Sequence, residues 1–585
     1  MLNILYLCIL FLYFNIINSK KTSIINHKIK LDQTLTPFLD ALTSVEPDIR
    51  YRFLFPGHNG GDDISQKLMS DIPGFEKVLK YDLPELEELD NVHCPNGPLL
   101  ESLELAADLF GACRTWFLVN GASSGILIAI LSCIKWSKQY DNKNLAFLIP
   151  QDSHKAVYDA FQLCCNDINI IQIPIITNHQ FDGVSYGINK DALYNIIQKM
   201  KSSDEKLTIC GLLMTRPTYH GVCTSSKCLT SIIETCHSNQ IPVIIDEAHG
   251  THLSFINNSN DNDDNNILKP ALHCGADIVI QSAHKTLAAP SQTGYLHLGQ
   301  QAFDYDGETS RRSDMVQIMQ DYYSILTTTS PNSLFLASLD ACRAQFATEE
   351  TQKQLALTIN KCNKLRLSLN KAWRLIDNTL MDNYDTKGKG EMDIALDPLR
   401  ITVQLNNDLF KNEMEELREK DEELWSKYGI VCELDLPTSL CFAIPPLSDH
   451  TVDVLMHALN EIVTRDMNNA DEKHFDDKIS NEENKQYNNK NSSSMNYLSD
   501  NGIRSSDLGS QIVSISIEKA EGMIIAETIS LYPPGVPLII SGQRITNQLI
   551  KSIKDLQKTR RSGSYITGAE DPNLQNLRVY YDDNE

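Results

Sequence analysis

Short apolar runs of strand length alternate with helical patterns through the first two-thirds of the chain. Five of these runs are nearly continuous and span residues 145–150, 170–176, 208–214, 241–245 and 276–280. Continuous apolar character is typical of strands that are buried on both faces, as in a parallel sheet. Helical periodicity at residues 99–110 and 229–239 lies between the runs. The pattern predicts an α/β domain with a mainly parallel sheet over residues 56–345.

A smaller α+β unit is predicted to follow this domain. Its predicted elements are an amphipathic helix over 409–428 that stops at Gly429, a strand over 430–434, a helix over 451–463 and strands over 511–517 and 536–540. We therefore predict a C-terminal domain in two parts, residues 346–467 and 507–585.

Two polar, low-complexity stretches interrupt the predicted elements. Residues 257–266 read NNSNDNDDNN, and residues 468–506 are rich in Asn, Ser, Asp, Glu and Lys. Such segments bury too little apolar surface to offset the entropy lost on ordering. Both are predicted to be disordered insertions.

The first residues form an apolar run that Lys20 and Lys21 close. The run is about as long as a signal-peptide core and short for a membrane-spanning helix. We predict a signal or targeting leader over residues 1–21 and an N-terminal arm over 22–55; a membrane anchor or a misassigned start are the alternatives. A real leader implies the secretory pathway or an organelle, and its absence implies the cytoplasm.

Composition excludes several classes of function. The net charge of −24 over 585 residues argues against a nucleic-acid partner, because phosphate binding needs clustered Lys and Arg. The 15 cysteines include no Cys-x-x-Cys pair and no Cys/His cluster of zinc spacing, so no metal site is predicted. Beyond the leader, no segment is apolar enough to predict membrane contact.

Polar clusters stand next to several of the apolar runs. They are Asn-Gly-Ala-Ser-Ser-Gly at 120–125, Gln-Asp-Ser-His at 151–154, Asp-Glu-Ala-His at 246–249 and Ser-Ala-His-Lys at 282–285. In open parallel sheets, ligands bind at the carboxyl ends of the strands. We expect these clusters to meet there and to form one site.

The chemistry of these clusters suits pyridoxal phosphate. Small residues at the helix start near 121 leave backbone N–H groups free for a phosphate. Asp246 needs a cationic partner at its buried strand end, and a protonated pyridine nitrogen supplies one. Lys285 should have a lowered pKa beside its strand, which suits a Schiff base, and His154 can stack on a ring.

Further motifs extend the pattern along the chain. They are PGHNGG (56–61), FLVNGASSG (117–125), RPTYHGV (216–222), DEAHGTH (246–252), QSAHKTL (281–287), TTTSPNSL (327–334) and YPPGVPLIISG (532–542). In this order they make the chain similar to the bacterial-type ornithine/lysine/arginine decarboxylases, pyridoxal-phosphate enzymes of the aspartate-aminotransferase-like fold type I. The resemblance covers nearly all of the chain after the leader and matches the short form without a wing domain.

The resemblance implies a role for each matching position. Lys285 would carry the cofactor, Asp246 would bind the pyridine nitrogen, and Ala248 and His154 would lie on opposite faces of the ring. The implied phosphate contacts are Ser123, Ser124, Ser282 and His284. Either Lys285 or His249 is the candidate proton donor.

The resemblance also implies a homo-oligomer with a dimer as its smallest unit. In this fold, active sites form at a dimer interface, and the segment from Thr327 to Ser330 would reach the site of the neighbouring subunit. The implied reaction is decarboxylation of a basic amino acid, with arginine favoured over lysine or ornithine, and the amine would feed polyamine synthesis.

Three positions depart from the family pattern. Ala122 stands where a Thr is usual, Gln151 and Asp152 replace Arg-Asn, and Gln543 replaces a Glu. These changes leave two alternatives open: another reaction of the same cofactor, such as transamination, or an inactive regulatory homologue.

Overall fold

The computed structural model describes most of the chain. The described ranges are 31–140, 144–164, 168–178, 181–202, 207–256, 268–305, 309–369, 371–376, 394–406, 410, 413–435, 438–474, 511–532, 535–559 and 565–581. The predicted leader, the insertion at 257–266 and most of the insertion at 468–506 lie outside these residues.

A seven-stranded sheet forms the centre of the first domain. Its strands are β1 (Ala112–Leu118), β2 (Leu145–Pro150), β3 (Ile168–Ile173), β6 (Thr208–Thr215), β8 (Val243–Asp246), β9 (Ile278–Gln281) and β10 (Gly294–Gly299), in the order β1-β10-β9-β8-β6-β2-β3. Only β10 runs antiparallel to its neighbours. The mainly parallel sheet that the apolar runs predict is thereby confirmed.

The predicted strand over 170–176 is divided in two. β3 ends at Ile173, and Ile175–Asn178 forms β4, which pairs with β5 (Phe181–Ile188) in a separate two-stranded sheet. Pro174 separates the two strands, and its missing N–H ends the ladder. The apolar pattern continues through this proline, so it could not reveal the break.

Helices cover both faces of the sheet and link the domains. They are α1 (Pro37–Val45), α2 (Gln66–Asp71), α3 (Phe75–Leu79), α4 (Pro98–Phe110), α5 (Gly121–Tyr140), α6 (Lys155–Leu163), α7 (Lys190–Ser202), α8 (Ser226–His237), α9 (Ala283–Thr286), α10 (Thr309–Leu326), α11 (Ser333–Phe346), α12 (Glu349–Ser368), α13 (Glu413–Tyr428), α14 (Asp449–His474) and α15 (Asn547–Thr559). Within the described ranges, no helix combines the length and apolar character needed to cross a bilayer.

The next part of the chain forms a four-stranded antiparallel sheet. Its strands are β11 (Trp373–Leu375), β13 (Arg400–Leu405), β14 (Leu434–Asp435) and β15 (Leu440–Ala443), while β12 (Ile394–Leu396) pairs with β7 (Val222–Thr224) of the first domain. The buried side chains of both regions belong to one continuous apolar core. The second region is therefore packed firmly against the first.

Three predictions for this region were wrong in extent. The strand expected over 430–434 is reduced to Leu434–Asp435, because the N–H of Ile430 bonds back to Leu424 in the C-cap of α13. That helix begins at Glu413, after Phe410 rather than before it. Helix α14 continues to His474 and so enters the segment predicted as an insertion.

The last part of the chain has an apolar core of its own. It contains β16 (Gln511–Ser516), β17 (Ile524–Ile525), β18 (Ile529–Tyr532), β19 (Val536–Ile539), β20 (Tyr565–Thr567) and β21 (Asn576–Tyr581), arranged as two three-stranded sheets. Hydrogen bonds from Lys155 N–H to the Gly535 carbonyl (2.8 Å) and from Gln162 to Thr528 (2.9 Å) attach it to helix α6.

A buried ion pair fixes the N-terminal arm. Asp340 accepts hydrogen bonds from the N–H groups of Phe38 (3.0 Å) and Leu39 (3.4 Å) at the start of α1. Arg343 donates to the other oxygen of Asp340 (2.7 Å) and to the Gln33 carbonyl (2.8 Å). Both charged side chains are fully buried, so each depends on the other and on the arm.

Replacing Asp340 with Ala should therefore destabilise the protein strongly. The change leaves the Arg343 guanidinium buried without a counter-charge, which costs about 3–5 kcal/mol. The measurement is the urea midpoint of unfolding. Glu349→Gln, which removes an exposed i,i+4 pair with Lys353, is the control and should leave the midpoint unchanged. Equal midpoints for both variants would contradict the role of the pair.

Candidate active site

The predicted site lies at the carboxyl ends of β8 and β9. Asp246 is the last residue of β8, is 3% exposed, and accepts a hydrogen bond from the Ala248 N–H (3.1 Å). Lys285 lies on the short helix α9, directly after β9. Its side chain is reachable from solvent, yet burial lowers its pKa, while the charge of Asp246 acts in the opposite direction. The two predicted key residues therefore lie near each other.

His249 connects Lys285 to a residue from the second domain. Its Nε2 lies 3.0 Å from Lys285 Nζ, and its Nδ1 lies 2.9 Å from a guanidinium nitrogen of Arg400. Burial lowers the pKa of His249 well below its usual range, and the positive charges of Lys285 and Arg400 act in the same direction. His249 is therefore a neutral imidazole that contacts two basic groups.

Arg400 is a site residue for which no local sequence signal exists. It begins β13 and is 6% exposed. Space for its side chain comes from Gly221, where an added Cβ would lie 2.4 Å from the Cβ of Arg400. Gly221 also has a positive φ of 86°. The RPTYHGV motif therefore has a physical function: it provides the surface on which Arg400 lies.

Tyr219, from the same motif, completes the surroundings of His249. Their rings meet edge to face with centroids 4.9 Å apart, and the Arg400 guanidinium lies 6.0 Å from the Tyr219 centroid. The Tyr219 hydroxyl donates to Glu433 (2.7 Å). The negative charge of Glu433 also acts on Lys285, where it opposes the lowering of the pKa. An exposed acid thus lies at the rim of the site.

The predicted phosphate contacts on α5 lie at the start of a long helix. Ser123 is exposed in the first turn, whereas Ser124 is buried and donates its hydroxyl to the Gly121 carbonyl (2.8 Å). An added Cβ on Gly125 would lie 2.7 Å from Leu118 and 2.9 Å from Ile280, so this glycine lets the helix start approach the sheet. A helix N-terminus in this position favours an anion.

The remaining predicted phosphate contacts lie beside Lys285. Ser282 is 1% exposed, and His284 Nδ1 lies 3.0 Å from the Thr293 carbonyl. Because a carbonyl oxygen can only accept, Nδ1 of His284 carries the proton and Nε2 is left for another partner. Burial lowers the pKa of His284.

His154 caps helix α6 with its side chain. Its Nδ1 accepts a hydrogen bond from the Ala156 N–H (3.1 Å), which fixes the ring. Burial lowers the pKa of His154, and the charges of Asp246 and Lys285 both act on it, so the three residues share one region. The adjacent Lys155 N–H donates to the Gly535 carbonyl of the YPPG motif, which places the C-terminal domain beside the site.

The unusual acid Asp152 has a specific partner. Ser185 of β5 donates its hydroxyl to Asp152 (2.5 Å), and the Gly187 N–H in turn donates to Ser185 (3.2 Å). Burial raises the pKa of Asp152, and the negative charge of Asp246 adds to this shift. The departure from the family pattern therefore adds a hydrogen-bonded acid near the site.

The residues fit pyridoxal phosphate. Lys285 is an amine whose free base is favoured by burial, Asp246 is a carboxylate at a buried strand end, and the start of α5 offers an anion site. The ring contacts of Ala248 and His154 and the roles of the phosphate contacts stay predictions. Within the described part of the chain, no group of His, Cys, Asp or Glu is arranged to hold a metal ion.

The segment from Thr327 to Ser330 lies close to the start of α5 in its own chain. The Thr328 N–H donates to Asn120 (3.3 Å), and the Thr328 carbonyl lies 3.3 Å from His93 Nε2. Thr328, Thr329 and Ser330 are exposed. Its contact with a neighbouring subunit stays a prediction.

Family comparisons agree with the motifs. Residues 36–389 match the model "Orn/Lys/Arg decarboxylase, major domain", and residues 485–570 match the model of the C-terminal domain. Arginine decarboxylase of Bacillus subtilis is 29% identical over 557 residues, which are 94% of this chain and 98% of that protein. The constitutive lysine decarboxylase of Escherichia coli is 22% identical over 584 residues, 88% of this chain and 76% of that protein.

Solved structures show the same fold. The structure of the E. coli constitutive lysine decarboxylase superposes with a TM-score of 0.67 at 19% identity, covering 94% of this chain and 82% of that chain. Lysine decarboxylase A from Pseudomonas aeruginosa has the same TM-score at 19% identity, over 94% of this chain and 81% of that chain. The predicted fold class is thereby confirmed.

Gly221→Ala should displace Arg400 and destabilise the protein. A side chain at this positive φ costs about 1–2 kcal/mol, and the overlap with Arg400 adds about 1–3 kcal/mol. The matched control is Gly429→Ala, which has a positive φ of 64° but no atom within 4 Å of the added Cβ. Thermal unfolding should show a clearly larger loss of Tm for Gly221→Ala. Equal losses would mean that Gly221 serves backbone conformation alone.

Proposed function

The chain belongs to the Orn/Lys/Arg decarboxylase family, and on this premise we propose that it removes the α-carboxylate of a basic amino acid as carbon dioxide, with arginine preferred over lysine or ornithine. The family match over residues 36–389 carries this proposal. The preference for arginine rests on the relatives: the arginine decarboxylases of Bacillus subtilis and Halalkalibacterium halodurans are 29% and 27% identical, and each match covers 98% of the relative.

We assign the parts of the site on the basis of their chemistry. Bound pyridoxal phosphate supplies an acceptor for the electrons that remain when the carboxylate leaves. Lys285 would hold the group covalently, and Asp246 would keep its ring nitrogen protonated. Ser123, Ser282 and His284 would contact its phosphate. His249 can hold a proton at Nε2, next to Lys285.

The surroundings favour a cationic substrate. Glu433 is exposed at the rim and is held by the Tyr219 hydroxyl. Asp152 adds a second carboxyl group, close enough to Asp246 for the two charges to interact. A substrate side chain with a guanidinium or ammonium group would therefore meet acids as it enters.

We also propose that the amine product feeds polyamine synthesis. Decarboxylation of a basic amino acid removes its only anionic group and leaves a molecule with basic groups at both ends, which is the unit from which polyamines are built. The apolar N-terminal segment is proposed to direct the chain to the secretory pathway or an organelle. That segment lies outside the described residues.

A dimer is proposed as the smallest active unit. Three aromatic side chains at alternate positions of the arm are exposed in the single chain: Tyr51 (81%), Phe53 (99%) and Phe55 (83%). Exposed aromatic side chains of this kind are typical of a protein interface. In a dimer, the exposed segment from Thr328 to Ser330 would face the site of the partner.

Decarboxylase activity should depend on Lys285. The chain without residues 1–21 is mixed with pyridoxal phosphate, and carbon dioxide and amine are measured with arginine, lysine and ornithine separately. We expect release from arginine first and complete loss for Lys285→Ala, together with loss of the visible band of bound cofactor. A control variant, Lys353→Ala on the exposed face of α12, should keep full activity.

Two outcomes would contradict this proposal. Bound cofactor without carbon dioxide from any of the three substrates indicates an inactive homologue or another reaction. Unchanged covalent cofactor binding by Lys285→Ala would refute the assignment of the lysine.

Phe53→Asp should weaken the proposed dimer. A charged side chain at the middle one of these three positions would lose its hydration on association. Light scattering should show a shift from dimer mass towards monomer mass and a parallel fall in activity. Leu367→Asp replaces a strongly exposed apolar side chain outside the arm (89% exposed) and should leave the mass unchanged. A monomeric, active wild-type chain would refute the proposal.

A further inference from the structure

We propose that Arg400 is a positioning residue that sets the proton on His249: by donating to Nδ1 it keeps the proton on Nε2, so that His249 donates to Lys285 and holds this amine as the free base. The inference rests on the proposed role of Lys285 as the residue that carries the cofactor. The three side chains form a line, with 2.9 Å from Arg400 to His249 and 3.0 Å from His249 to Lys285.

The direction of both hydrogen bonds follows from the chemistry of arginine. A guanidinium has only N–H donors and no acceptor, so Nδ1 of His249 must accept from Arg400. A neutral imidazole has one acceptor nitrogen and one N–H. Its proton is therefore on Nε2, the nitrogen that faces Lys285 Nζ.

This arrangement decides the charge state of Lys285. An ammonium group has three donors and no lone pair, so it would also need an acceptor on His249. The single lone pair of the imidazole cannot serve both Arg400 and an ammonium. When Arg400 donates to Nδ1, the Nε2–H of His249 points at Lys285 Nζ. This nitrogen must then accept the hydrogen bond, and only the free amine has the lone pair to do so.

The surrounding packing prevents Arg400 and His249 from turning away. They are 6% and 7% exposed, and the Tyr219 ring lies against the imidazole. The stem of Arg400 fills the space that Gly221 leaves open. Neither partner can exchange the contact for water without repacking the RPTYHGV surface.

The charges around Lys285 do not all act in the same direction. Burial lowers its pKa most, Arg400 adds to the lowering, and Asp246 and Glu433 oppose it. Around His249, burial lowers the pKa most, and the permanent charge of Arg400 adds to the lowering. The neutral imidazole that the hydrogen bonds require is thus the form that its surroundings favour.

The chemical consequence concerns the attachment of the cofactor. Only a neutral amine attacks an aldehyde. Lys285 would form a C=N bond with the aldehyde carbon of pyridoxal phosphate, and its two N–H protons would leave with the aldehyde oxygen as water. A lysine of ordinary pKa is mostly protonated at neutral pH and attacks slowly. The line of contacts therefore keeps Lys285 ready to react.

The direct test measures the reactivity of Lys285 without cofactor. The full chain is freed of pyridoxal phosphate and treated briefly with acetic anhydride across a pH series, and mass spectrometry gives the acetylated fraction of Lys285 at each pH. We expect a midpoint well below that of exposed lysines. Arg400→Met should raise this midpoint by about one pH unit, which is about tenfold slower acetylation at pH values below both midpoints.

Further variants separate the effect of the hydrogen bonds through His249 on the Lys285 midpoint from the effect of the Arg400 charge alone. Arg400→Lys keeps both a donor and the positive charge and should restore most of the low midpoint. His249→Leu removes the donor to Lys285 but keeps the Arg400 charge, and it should raise the midpoint as much as Arg400→Met does. The double variant should show no larger shift. Arg418→Met, on the exposed face of α13, is the control for loss of an arginine.

Specific results would overturn the inference. An unchanged midpoint in Arg400→Met would mean that burial alone controls Lys285. A midpoint that stays low in His249→Leu would mean that burial and the charge of Arg400 control Lys285 without His249. Circular dichroism checks that each variant is folded, and Arg400→Lys tests the same contact with the smallest change. If wild type also shows an ordinary lysine midpoint, the inference is refuted.

A second readout separates this inference from the proposed function. Stopped-flow absorbance follows the capture of pyridoxal phosphate by the cofactor-free chain. Slower capture by both Arg400→Met and His249→Leu at neutral pH, with the rate restored at high pH, supports the proposed role of His249 between Arg400 and Lys285. Capture at the wild-type rate by Lys285→Ala would refute the proposed function itself. Equal pH profiles of wild type and Arg400→Met would refute only the proposed role of Arg400.

Discussion

The buried ion pair between Arg216 and Glu247 is the interaction on which the geometry of the site depends. Arg216 follows β6 and Glu247 follows β8, and both side chains are fully buried at 3.3 Å. Glu247 also accepts from Gln281 at the end of β9 (2.8 Å) and from the Ala271 N–H (3.0 Å). Desolvating two charges is costly unless each finds further hydrogen bonds, so the ends of three strands are held in one arrangement. Asp246 directly precedes Glu247, and Lys285 lies four residues after Gln281. The positions of Asp246 and Lys285 are therefore fixed by the same contacts.

The second domain supplies Arg400, a site residue that the central sheet does not provide. The carboxyl ends of β8 and β9 bring Asp246, His249 and Lys285 together, but the orientation of His249 depends on Arg400 from β13. The same domain is attached by the buried contact between His252 and Asp397 (2.8 Å), and the His252 ion pair helps lower the pKa of Asp397. A protein that lost this attachment would keep the sheet and lose the geometry of the site. The packing of two domains on one core is therefore part of the chemistry.

The parts of the site that follow local patterns are predictable from the sequence, whereas the parts that depend on distant chain segments are not. Lys285 and Asp246 are predictable because each follows an apolar run, and the change from apolar to polar residues marks the end of a buried strand. Arg400 is not, because it belongs to a strand whose apolar pattern is ordinary and whose position against His249 is set by tertiary packing. The RPTYHGV motif reveals no role from its sequence alone, because its glycine is explained only by the neighbouring Arg400. The strand predicted after Gly429 failed for a related reason, because the residues that follow the helix complete its C-cap.

Two histidines of the site share one hydrogen-bonding arrangement, which suits a cationic substrate. In both His154 and His249, Nδ1 accepts from a group that can only donate, the Ala156 N–H in one case and the Arg400 guanidinium in the other. In the neutral state both rings therefore carry their proton on Nε2. Burial lowers the pKa of each, so neither adds a positive charge to the site. A basic amino acid brings a cation with it, and two imidazolium rings would repel that cation in a region of low dielectric. Neutral rings with a fixed proton offer hydrogen bonds at defined positions without this repulsion.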